Sequence, residues 1–126
     1  MDKKDLRTGK YCYYCYTETE QINGKLGKMQ KCPNCEAYVS IDISTGAPAG
    51  CTADNNLRQD RRLVHHYSSI LIKRKMKRDN IGKALAKRYL YEWLSKEINL
   101  DFNMVSIAQL FPLETSNVIK ILKKYI

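Results

Sequence analysis

No apolar run in this 126-residue chain approaches the roughly 18–20 residues that a bilayer-crossing helix needs, so we expect a soluble protein without a membrane partner. Met1-Asp2-Lys3-Lys4-Asp5 leads into no apolar stretch of the secretory kind, and a reducing, cytoplasmic setting is expected. Low-complexity tracts are missing. So is any internal repeat beyond two short cysteine pairs. Residues 1–50 are poor in large aliphatic side chains. Such a stretch cannot bury enough apolar surface to order itself, so something else must hold it. Catalytic signatures are also wanting: the chain has no H-E-x-x-H and no Ser–His–Asp arrangement. The segment Asn23-Gly24-Lys25-Leu26-Gly27-Lys28 is too short for a phosphate loop. His65 and His66 lack the strand His and helix Asn/His order of a ββα nuclease. We therefore expect a protein that is not an enzyme and takes no small-molecule substrate.

What is present begins with cysteine. Cys12-Tyr13-Tyr14-Cys15 and Cys32-Pro33-Asn34-Cys35 are two C-x-x-C turns separated by sixteen residues. Each turn can offer two thiolates to one tetrahedral ion, and the gap is long enough to fold back as a hairpin. One structural zinc ion on Cys12, Cys15, Cys32 and Cys35 is the favoured reading. An iron–sulfur centre remains chemically allowed, and disulfide or redox pairing needs an oxidising compartment or a βαβ context. Four thiolates leave no open position on zinc, so the ion would act as a staple and not as a Lewis acid. The fifth cysteine, Cys51, reads as a small buried hydrophobe.

Charge is the second feature. The chain carries 22 Lys/Arg against 13 Asp/Glu, a formal +9. Residues 57–88 hold eleven basic groups against Asp60 and Asp79, while the segments on either side sum to zero. Four thiolates with one zinc ion would lower the net to +7 without touching that block. A confined basic block is a footprint for a polyanion. Arg58, Arg61, Arg62, Lys73, Arg74, Lys75, Lys77 and Arg78 are the candidate contacts to nucleic acid, mostly to phosphates. Tyr13, Tyr14 and Tyr16 are candidates to stack on unpaired bases. The alternative is a protein-interaction module in which the same block meets an acidic host or virion surface.

The expected fold is α+β. A zinc ribbon of β-hairpins over residues 1–53 packs on a helical lobe over 54–126 with two or three helices, together one compact unit. Strands are predicted at 10–16 and 28–43, with Asn23-Gly24 as a turn signal and Val39, Ile41 and Ile43 on one buried face. A Gly/Pro loop fills 44–53. A helix starts at Asp54 and breaks near Met76-Lys77-Arg78, its apolar side including Leu63, Val64 and Tyr67. A second, capped by Asp79 or Asn80, runs to about Glu97 with Leu85, Tyr89, Leu90, Trp93 and Leu94 inward. Residues 103–110 form a short turn. Thr115 or Ser116 caps a last helix with Val118, Ile119 and Leu122 inward. His65, beside the apolar face, reads as a satisfied structural histidine.

Cys32-Pro33-Asn34-Cys35-Glu36-Ala37-Tyr38-Val39, followed by Thr45-Gly46-Ala47-Pro48-Ala49-Gly50-Cys51-Thr52-Ala53-Asp54-Asn55-Asn56-Leu57-Arg58, resembles a phage-encoded zinc-finger-containing domain family. Met76, Arg78 and Tyr91-Glu92-Trp93-Leu94 are similar to its later motifs. The likeness covers roughly residues 10–122. The first knuckle departs from it, with Tyr13 and Tyr16 where the family has a Pro inside and a Gly after the pair. The stretch from Met76 to Tyr91 is also longer than the family's. The resemblance implies zinc, a phage or prophage origin and the host cytoplasm, and it lends no activity.

Overall fold

The computed structural model describes residues 2–25, 27–101 and 106–126. It is α+β, and the chain divides into two compact units. Unit 1 comprises residues 1–58 together with 108–111. Unit 2 comprises 59–107 and 112–126.

Unit 1 opens with a short helix, α1 (Lys3–Arg7), capped by the Asp2 carboxylate. Three antiparallel strands follow in the order β1 (Glu20–Gly24), β2 (Gly27–Lys31), β3 (Tyr38–Ser40), with Gly24 opposite Gly27 and Met29 opposite Ser40. Residues 10–16 are not a strand. Tyr11 makes a single bridge to Glu18, and residues 13–15 turn. The predicted 28–43 strand is interrupted by the second cysteine pair, because a C-x-x-C turn aims both thiols inward and cannot stay extended. Asn23 and Gly24 are the last residues of β1. Val39 is buried, but Ile43 is 99% exposed. There the Asp42 carboxylate accepts from the amide and hydroxyl of Ser44 and bends the chain before the alternation can continue.

The segment 108–111 closes unit 1 from far along the chain. The Cys51 amide donates to the Ala108 carbonyl at 2.9 Å. The Cys51 thiol donates to the Leu110 carbonyl, and Phe111 packs on Cys51, Ala53 and Leu57. Arg7 is buried here. Its guanidinium donates to the Gln109 carbonyl at 3.0 Å and lies 4.0 Å from the centre of the Phe111 ring.

Helix α2 (Asn55–Asp79) starts where the Asp54 carboxylate accepts from the Leu57 amide at 2.9 Å, an N-cap as expected. It does not break at Met76-Lys77-Arg78, because Lys and Arg are good helix formers and the Lys75–Asp79 pair spans one turn. Asn80 ends it, in the left-handed region at φ 52, with the Ile81 amide donating to the Met76 carbonyl. Asn99 (φ 54) ends α3 (Lys83–Glu97) in the same way, the Leu100 amide reaching the Ser95 carbonyl. Both are glycine-type caps made by asparagine. Gly82, not Asp79 or Asn80, is the N-cap of α3. Helix α4 (Pro112–Lys123) begins at proline, whose missing N–H costs nothing in the first turn; Thr115, expected as a cap, is buried inside it. A 3-10 turn occupies Ile107–Gln109, and residues 103–105 of the expected turn lie outside the described residues.

The core of unit 2 uses one line of side chains per helix: Val64, Ser68 and Ile72; Ala86, Leu90 and Leu94; Thr115, Val118 and Leu122. Each set repeats every three or four residues. Leu63, Leu85 and Tyr89, expected inward, are exposed. Apolar residues stand on two neighbouring lines of α2 and α3, and periodicity alone does not choose between them.

Candidate metal centre and basic face

The two C-x-x-C turns meet within unit 1. The Sγ atoms of Cys12, Cys15, Cys32 and Cys35 all lie within 4.8 Å of one another. Cys12 and Cys35 are 3.6 Å apart. A disulfide requires about 2.05 Å, and Cys12, Cys15, Cys32 and Cys35 form none. A tetrahedral ion with metal–sulfur bonds of about 2.3 Å has sulfur–sulfur edges of about 3.8 Å. The donor set therefore fits one structural zinc ion, held by Cys12, Cys15, Cys32 and Cys35.

The backbone supports the thiolates. Cys32 and Cys12 are fully buried, Cys15 and Cys35 partly so. Burial opposes ionisation of Cys32, but the amides of Asn34 and Cys35 donate to its sulfur and hold its pKa below the ordinary thiol value. Cys35 goes the other way. Burial first, then sharing with the other thiols, pushes it up to about 12, although the Ala37 amide also donates to it. Sulfurs packed this closely resist ionising together until a cation sits among them. Thr52, wholly buried, adds support that no spacing rule points to: its hydroxyl faces the Cys12 sulfur at 3.6 Å and accepts from the Tyr13 amide at 3.2 Å.

The first knuckle carries strain. The Tyr16 amide closes the turn on the Cys12 carbonyl at 2.9 Å, which holds Tyr16 in the left-handed region at φ 56. This is where the resemblance places a glycine. A side chain there costs about 1–2 kcal/mol. Tyr16 is 61% exposed and surrenders little packing if removed. Tyr16→Gly is expected to retain zinc and to raise the stability of the zinc-loaded protein by about 0.5–1 kcal/mol, after glycine's own entropic cost. Thermal unfolding is the measurement, and a lowered midpoint would contradict it.

The other knuckle tyrosines are committed to the fold. Tyr13 stacks at 5.0 Å on Phe111 and meets Tyr14 edge-on. The Tyr14 phenol accepts from the Asp54 amide at 3.2 Å, and burial drives its pKa well up. Only Tyr16 of the three is exposed.

The eight basic candidates separate into groups. Arg58 belongs to unit 1 and serves its architecture: its guanidinium lies 4.2 Å from the centre of the Tyr38 ring, and it donates to the Ala53 carbonyl and the Asn55 side chain. Arg61 is half-buried. Arg74 donates to the Tyr125 carbonyl at 2.6 Å. Lys75 and Arg78 pair with Asp79; Lys75 first, then Arg78, holds that carboxyl below the usual range. Arg62, Lys73 and Lys77 are exposed and make no ion pair among the described residues. With His66 they follow one line of α2 at intervals of four or seven residues. His65 is exposed too, and neither histidine belongs to the sulfur cluster. No helix among the described residues is long and apolar enough to cross a membrane.

A family model described as a zinc-finger-containing domain matches residues 7–125. No curated protein and no solved structure matches the chain.

Proposed function

Taking as premise that the chain belongs to the zinc-finger-containing domain family, we propose that it is a non-catalytic nucleic-acid-binding protein. The observation that carries the proposal is the row of unpaired cations Arg62, Lys73 and Lys77 on α2. From Arg62 to Lys77 the helix rises about 22 Å, a length that meets several successive phosphates. Cations already neutralised by a carboxylate gain little from a phosphate, whereas unpaired ones release counterions from the nucleic acid when they bind. The four sulfurs fill a zinc ion and leave no position for a substrate, which supports a role in binding and not in reaction. The likeness of residues 32–58 to phage-encoded relatives extends the proposal to a phage-type protein working in a host cytoplasm.

Affinity for DNA or RNA is expected to fall steeply between 50 and 200 mM salt, linearly in the logarithms. Lys73→Gln should weaken binding across sequences and reduce the salt slope by about one contact. Arg62→Glu, Lys73→Glu and Lys77→Glu together should cost on the order of a hundredfold at low salt. Lys120→Glu, on α4, should change little. Absent binding at low salt, or a flat salt response, would overturn the proposal and leave an acidic protein surface as the partner for the basic block.

A further inference from the structure

Unit 2 contains a cleft of about 500 Å³, away from the exposed cation row, whose character is mixed. One wall is aromatic. Tyr89 and Trp93, four residues apart on α3, share a face, and Tyr125 meets Trp93 edge-on at 5.2 Å. The other wall is cationic, with Arg74, Lys75 and Arg78 from α2. Asp79 offsets one of these three charges, so the cleft keeps a positive balance. Its volume lies within the range of small-ligand sites.

Aromatic faces beside cations suit a planar ring joined to an anionic group. Tyr89 and Tyr125 remain 44% and 55% exposed, an arrangement that a folded core does not require. Lys75 lies 5.4 Å from the centre of the Tyr89 ring, so the positive charge and the stacking surface are adjacent. A nucleobase in a duplex has its faces covered by its neighbours and cannot enter. An unpaired base can stack, with its phosphate toward Arg74, the cleft cation that makes no ion pair among the described residues. We propose that this cleft receives one unpaired nucleotide of a single-stranded nucleic acid. The proposal rests on the nucleic-acid reading above and adds to it a preference for single strands.

Trp93 is the chain's only tryptophan, so its fluorescence reports on the cleft directly. The zinc-loaded full chain is titrated with a ten-nucleotide oligothymidylate, with the same strand in duplex, and with inorganic phosphate. The expected result is quenching of Trp93 by the single strand alone. Tyr89→Ala, at an exposed position, should weaken single-strand binding about tenfold, the loss of one stacking contact, and leave duplex binding unchanged. Tyr89→Phe should restore it. Equal binding of single strand and duplex without quenching, or a Tyr89→Ala protein that binds the single strand like the parent, would overturn the cleft proposal and leave the phosphate-binding reading intact. Failure to bind either form at low salt would overturn both.

Discussion

Cys32→Ser is expected to release zinc and to unfold the sheet of unit 1. Cys32 lies at the centre of the argument for the site: its sulfur is fully buried, it receives the Asn34 amide, and its own amide donates to the Ala37 carbonyl beside β3. Structural zinc supplies about 10–16 kcal/mol of apparent binding free energy near neutral pH, more than the whole stability of a typical small domain. Unit 1 has no comparable reserve, since its three strands are three to five residues long. Elemental analysis should give one zinc per chain for the parent and almost none for the variant after dialysis against a chelator. Amide protection in Gly27–Lys31 and Tyr38–Ser40 should disappear with the metal. Cys51→Ala is the comparison, because that thiol serves the Leu110 carbonyl and not the cluster, and its zinc content should stay at one. A Cys32→Ser protein that keeps both metal and protected strands would remove Cys32 from the site.

Acid should reproduce the effect. Bound thiols are ionised, so zinc depresses their pKa in the folded state relative to about 8.5 in the unfolded chain. The resulting stability is full above that value and declines as pH falls, when protons compete with the ion. Zinc retention measured against pH should therefore be lost on the acid side and never on the alkaline side of neutrality. Retention of metal down to about pH 3 would be incompatible with thiolate ligation.

The ligands were legible in the sequence because C-x-x-C spacing is itself a geometric statement: two thiols one tight turn apart point the same way. The Asp54 cap was legible for the same local reason. The length of α2 was not. Met76-Lys77-Arg78 resembles an interruption only if charge is mistaken for a helix breaker, and the real stop is a left-handed Asn80, a conformation that asparagine adopts in some contexts and not others. Charge counting found the basic block but could not rank its members. Whether Arg58 is a phosphate contact or a structural group depends on Tyr38, twenty residues earlier, and whether Arg74 is occupied depends on Tyr125, fifty-one residues later. The closure of unit 1 by 108–111 is more distant still, the Cys51–Leu110 bond spanning 59 positions, and no local pattern announces it.

That closure gives the second large expected effect, at Gly50. A Cβ placed there would lie 1.9 Å from the Ala108 carbonyl oxygen and 2.3 Å from its carbon. Backbone, unlike the tip of a flexible side chain, cannot step aside. Gly50→Ala must therefore separate residues 49–51 from 108–111. The bond from the Cys51 amide to Ala108 would go first. The bonds that Gln109 and Leu110 accept from Arg7 and the Cys51 thiol depend on the same segment. Breaking the first of these leaves the buried Arg7 guanidinium short of an acceptor, which is costly in its own right. Overpacking of this severity is expected to cost about 3 kcal/mol or more, which lowers the midpoint of thermal unfolding by roughly 10 °C. Ala108→Gly removes the methyl that the new Cβ would meet at 2.9 Å but leaves the carbonyl in place, so the double variant should not recover. Recovery in the double variant would show that the obstruction is a side chain, and a Gly50→Ala protein as stable as the parent would mean that 108–111 does not lie against Gly50 at all.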